Sequence, residues 1–114
     1  LFMASGLEFA KFVSDQLSGA GCITYRKMFG EYGVYCDGKI FALICDNQLY
    51  IKITESGRRI CPGLPEMPPY NGARNYFLVA DIEDRERLVK LVQATCQELP
   101  AVKPKKGKDK NGKV

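Results

Sequence analysis

The stretch Arg26-Lys27-Met28-Phe29-Gly30-Glu31-Tyr32-Gly33-Val34-Tyr35-Cys36-Asp37-Gly38-Lys39-Ile40-Phe41-Ala42-Leu43-Ile44-Cys45-Asp46-Asn47-Gln48-Leu49-Tyr50-Ile51-Lys52 decides the fold. It is dense in aromatic and β-branched side chains and is broken at short intervals by turn formers. Asp37-Gly38 lies between two apolar runs and predicts a two-residue hairpin of type I′, which needs positive φ at both central positions. Residues 39–45 are almost wholly apolar, as expected of a central strand, and Asp46-Asn47 predicts a second tight turn. Beyond it, Leu49, Ile51 and Ile53 alternate with Tyr50 and Lys52, so one face of that strand is buried. Upstream, residues 25–35 also read as strand. Gly30 and Gly33 within them predict either a bend or bulge in one long strand or a break between two. The whole stretch is a β-meander.

Working outward, Ser5-Gly6-Leu7-Glu8 fits a capping box, followed by apolar residues at helical spacing. This predicts a helix over residues 5–18 whose Phe-rich stripe packs on the sheet. On the other side, Thr54 starts a short helix over 54–60. Four prolines at 62, 65, 68 and 69 exclude long regular structure there. Asn71-Gly72 is a turn, residues 75–80 a strand, and residues 68–70 its short edge partner. Asp81 is the expected cap of a last helix, with Leu88, Val89, Leu91, Val92, Thr95, Cys96 and Leu99 as its apolar stripe and Pro100 as its end. Helices that do not alternate one-for-one with strands define an antiparallel, two-layer α+β fold.

The chain has 114 residues, enough for one domain with its own core. Its net charge of +4 is unevenly placed. Residues 101–114 hold six lysines and one aspartate, whereas the preceding hundred hold 11 basic and 12 acidic groups. We therefore expect a tag or disordered start at residues 1–4, one domain over 5–99, and a disordered Lys-rich tail over 100–114. Such a tail cannot bury a core and attracts nucleic-acid phosphates without reading sequence, through Lys103, Lys105, Lys106, Lys108 and Lys110. No apolar run is long enough for a membrane span, and the N-terminus lacks the pattern of a signal peptide. The five cysteines are scattered, without a C-x-x-C pair. They read as small buried hydrophobes in a reducing, cytoplasmic setting.

The chain contains no histidine. Histidine-based triads, His bases and Cys/His metal sites are excluded, and neither a cofactor nor a metal is expected. Asp81, Glu83, Asp84 and Glu86 are paired acids at a helix start, where acids favour the dipole. Gly30-Glu31-Tyr32-Gly33 does not make a phosphate loop, because neither the spacing nor a following Lys-Ser/Thr is present. The strand aromatics Tyr25, Phe29, Tyr32, Tyr35 and Tyr50 could stack bases, but the folded part is not basic.

The central run resembles the N-terminal domain of the TfoX (Sxy) competence regulators. The shared features are the Met28-Phe29-Gly30 block with Tyr32-Gly33, the Tyr35-Cys36-Asp37-Gly38 turn, Phe41-Ala42-Leu43, and Leu49-Tyr50-Ile51-Lys52. The resemblance covers residues 5–98 and is more specific in its first half. Glu31 departs from it, standing where the family usually has a second Gly. The resemblance implies helix–three strands–helix–two strands–helix, like secretion-chaperone domains, and brings no catalytic residues. It also implies a non-enzymatic regulatory domain binding a protein partner, such as one of the transcription machinery, as a monomer or homodimer. The full-length regulators are similar to co-activators working with the cyclic-AMP receptor protein, and carry a helical C-terminal domain that does not follow Pro100 here. For the partner surface, the sequence nominates the turn residues Glu31 and Tyr32 and the Arg58–Pro69 loop, with Arg58 and Arg59. Two other readings are a nucleic-acid binder using the tail, and a small-molecule binder with its pocket between the first helix and the sheet.

Overall fold

The computed structural model describes residues 6–100. The chain runs α1 (Leu7–Gln16), a 3-10 turn (Ser18–Ala20), β1 (Ile23–Met28), β2 (Glu31–Cys36), β3 (Lys39–Cys45), β4 (Gln48–Ile51), α2 (Glu55–Ile60), β5 (Glu66–Met67), β6 (Tyr76–Val79) and α3 (Arg85–Glu98). All six strands form one antiparallel sheet in the order β1-β2-β3-β4-β6-β5. The α+β class is as the sequence implied.

Three two-residue hairpins build the meander. Asp37-Gly38 has φ of 52° and 86°, and Asp46-Asn47 has 55° at both positions, the positive values a type I′ turn demands. The third hairpin divides residues 25–35 into two strands at Phe29-Gly30, with φ of 52° and 79°. The fold therefore has four strands before α2, against the three of the family pattern, and Phe29 lies in a turn rather than in a strand.

A bulge interrupts the β2–β3 ladder. Val34 pairs with Ala42, but Tyr35 pairs with Ile40, which leaves Phe41 as the extra residue. Lys39 and Ala42, three apart, consequently face the same side. That side carries the helices. Lys39 Nζ donates to the carbonyls of Cys96 at 2.8 Å and Leu99 at 3.3 Å, satisfying the C-terminal end of α3.

The core forms between this side of the sheet and the helices. It gathers Ala10, Val13 and Leu17 from the first helical segment, Val34, Phe41, Ala42, Ile44, Leu49, Ile51, Phe77 and Val79 from the sheet, and Leu88, Leu91 and Val92 from α3. The Phe-rich stripe of α1 is split: Phe9 packs on the core, while Phe12 is 41% exposed. Gly57 in α2 marks a close approach of helix to core, because a Cβ there would meet the Phe77 ring at 2.8 Å and Leu91 at 3.2 Å.

Several local expectations need correction. Gly6, not Ser5, is the cap of α1; it has no side-chain cap, and its N–H donates to Asn47 Oδ1 at 3.0 Å. Ser5 and the lysines of the tail lie outside the described residues. Thr54 does cap α2, its hydroxyl accepting from the Gly57 N–H at 3.0 Å. The cap of α3 is Asp84 rather than Asp81, whose carboxylate instead accepts from the Glu83 N–H at 3.1 Å in the approach to the helix. The edge strand is Glu66–Met67 instead of residues 68–70, because pairing with Phe77 and Tyr76 sets its position.

Candidate interaction surface

The register assigns the other face of the sheet. Gly33 pairs with Leu43, Leu43 with Tyr50, and Tyr50 with Leu78, so these four line up across it. Arg26 and Met28 of β1, Tyr35, Ile40, Cys45 and Tyr76 share the face by alternation. None of the three helices supplies a core contact here. Met28, Tyr35, Ile40, Leu43, Tyr76 and Leu78 are only half-buried.

A groove of about 540 Å³ opens at one end of this face. Leu43 and Cys45 form its floor, the Met28–Tyr32 hairpin one wall, and Pro69 and Tyr70 the other. Tyr70 is 60% exposed, and Phe29 at the hairpin tip is fully exposed. Among the described residues, Phe29 is also one of four non-glycine residues with positive φ, alongside Asp37, Asp46 and Asn47. Asp and Asn tolerate that region, whereas a bulky aromatic there is strained. Phe29 is thus a strained aromatic standing in water beside the groove.

The nominated residues fall in different places. Glu31 borders the groove, and its carboxylate accepts from the Asp46 N–H at 3.2 Å, joining the Phe29-Gly30 and Asp46-Asn47 turns. Tyr32 is not an exposed turn residue: it is 5% exposed and makes an edge-on ring contact with Tyr25 at 5.8 Å. Its pairing with Ile44 turns the side chain toward the helices, because the hairpin breaks two residues earlier than an exposed tip at Tyr32 would require. Arg58 and Arg59 stand on α2, away from the groove lining. Arg58 holds Glu66 through Nε and Nη2, both at 3.0 Å, and Glu55 at 3.2 Å. The paired guanidinium in turn pulls the Glu66 carboxyl below its ordinary range. Arg59 donates to Ser56 Oγ at 3.3 Å. An anion would have to displace carboxylates from Arg58. Pro69, at the end of the nominated loop, does line the groove; Phe29, Leu43 and Tyr70 were missed because nothing local in the sequence joins them.

A second cavity of about 350 Å³ lies beside α3, lined by Ala20, Cys36, Asp37, Lys39, Gln93, Cys96 and Gln97. Burial and neighbouring acids raise the Cys36 thiol, and burial with the adjacent Cys36 pushes Cys96 up to about 12. Burial raises Cys45 to about 11. Thiols held protonated in this way are poor nucleophiles and metal ligands. All five cysteines are free, and four of them are buried. Among the described residues no cluster of three His, Cys, Asp or Glu could hold a metal, and no helix is long and apolar enough to cross a membrane.

These features define a two-layer α+β domain with one sheet face sealed under helices and the other open. Residues 15–99 match the TfoX N-terminal domain, and the chain belongs to that family. It is 37% identical over 109 residues to the "Uncharacterized 12.7 kDa protein in trpE 5'region" of Spirochaeta aurantia, covering 95% of each chain. It is also 34% identical over 47 residues to "Protein Sxy" of Escherichia coli K12, a match covering 41% of this chain and 22% of Sxy.

Proposed function

We propose that the chain is a non-enzymatic regulatory domain that works by binding another protein chain through the outer face of its sheet, in the manner of a competence-related regulator. The exposed Phe29 beside the apolar groove carries this reading. The family supports it, as do buried thiols held protonated and an Arg58 already engaged by two carboxylates. The test is affinity capture on the full chain, compared with the Phe29→Asn and Tyr70→Ser variants. Partners retained by the parent and lost from both variants are expected. Equal capture by all three would exclude this face.

A second reading rests on the six lysines within residues 101–114. A polycation of this kind binds DNA or RNA with steep salt dependence. Binding measured across a salt series, with and without residues 101–114, is expected to lose its slope with the tail. No binding at low salt would end this reading.

A further inference from the structure

Building on the interaction reading above, we infer that the groove's occupant is Phe29 of a second copy of this chain, the two copies being related by a twofold axis. Phe29 is a knob, fully exposed at a hairpin tip. The groove beside it is a socket of matching chemistry, with a floor of Leu43 and Cys45 and walls that include Met28 and Tyr70. A knob and a socket on a single patch meet the condition for an isologous contact, in which residue i meets j while j meets i. Any other occupant would need its own aromatic or aliphatic knob; this chain already presents one of the right chemistry.

The charges agree. Arg26 shares the outer face and has no ion-pair or hydrogen-bond partner among the described residues. Asp46 lines the groove and is exposed. A twofold arrangement offers the cation of each copy to the acid of the other, which favours encounter and fixes orientation. The apolar surface is also wider than the knob. A stable interface covers about 800 Å² per partner, more than one knob supplies. The half-buried Tyr35, Ile40, Tyr76 and Leu78, with Met67 at 40% exposure, extend the apolar surface beyond the groove. The chain's own residues 101–114 are unsuited to the socket, since their only apolar side chains are Ala101, Val102 and Val114 among six lysines.

Sedimentation equilibrium of the full chain, from about 1 µM to about 500 µM, tests the assignment. The parent is expected to dimerise within that range. Phe29→Asn removes the knob while placing at φ 52° a residue suited to it, so the variant keeps its fold. It is expected to weaken the dimer about a hundredfold or more, because each dimer loses two central anchors. Tyr70→Ser, which opens the socket instead, is expected to act in the same direction. A parent that stays monomeric throughout, or a Phe29→Asn variant that dimerises as tightly as the parent, overturns the inference. A photo-crosslinking residue in place of Phe29 separates its failure from that of the interaction reading. Crosslinks from position 29 to Leu43 or Tyr70 of another copy support the dimer. In cell lysate, crosslinks to a different polypeptide alone sink the second copy and leave the interaction reading standing. Crosslinks to no protein at all remove both.

Discussion

On one face of the sheet, Val34, Ala42, Ile44, Leu49, Ile51 and Phe77 are sealed beneath α1 and α3. On the other, Leu43, Ile40 and Tyr35 are half-buried, and Phe29 stands wholly in solvent. The same strands supply both sets, residue by alternate residue. The sealed face resembles any globular core and is spent on folding. The open face keeps apolar area that folding has not used.

The contrast predicts that substitutions on the sealed face change stability, and those on the open face change association. The largest effect belongs to Phe41→Ala, which empties a fully buried site and should destabilise by about 3–5 kcal/mol in urea unfolding. Tyr70→Ala measured alongside should stay within about 0.5 kcal/mol, as for exposed sites generally. A comparable loss at Tyr70 would break the division between the faces. Next comes Gly57→Ala, where the added methyl meets Phe77 and Leu91; overpacking there should cost about 1–3 kcal/mol.

Alkaline pH should follow. Cys96 is raised from 9.0 to about 12 and Cys45 from 9.0 to about 11, in both cases chiefly by burial, so the fold prefers the neutral thiols. Their contribution is complete below the unfolded-state value and is lost as pH rises toward the folded values. Urea midpoints should therefore fall between about pH 8.5 and about pH 11, and Cys96→Val should flatten that fall. A midpoint independent of pH across the window would contradict the burial of both thiols.

Smaller still is Thr95→Val. The Thr95 hydroxyl is buried without a hydrogen-bond partner among the described residues, so an isosteric apolar side chain should stabilise by about 1 kcal/mol. The smallest effect on folding is expected for Phe29→Asn: stability unchanged, or raised by no more than about 1 kcal/mol as backbone strain is relieved. A marked drop in its melting temperature would mean that Phe29 supports the fold rather than a contact.

Where local chemistry decides structure, the sequence could be read directly. Asp37-Gly38 and Asp46-Asn47 turn as their residue types require, Thr54 caps α2, and the α3 stripe from Leu88 to Cys96 is buried as its spacing demands. Positions governed by pairing were harder. Phe is not a residue expected at positive φ, so Gly30 alone could not distinguish a bend from a hairpin. Misplacing that break left Tyr32 in a turn, although its register with Lys27 and Ile44 buries it. Asp81, Glu83 and Asp84 can all cap a helix, and only the path of the chain from β6 selects Asp84. The groove was least visible, because Met28, Leu43 and Tyr70 come from three segments that nothing local joins.

The extra residue at Phe41 has a consequence for how this strand can evolve. Because Val34, Tyr35 and Cys36 already pair with Ala42, Ile40 and Lys39, loss of Phe41 would close the ladder without changing which way those residues face. The Lys39 ammonium would still reach the last carbonyls of α3, and the loss would be that of the buried Phe41 ring. A gap of one residue at this position is therefore compatible with the register on both sides when relatives are aligned.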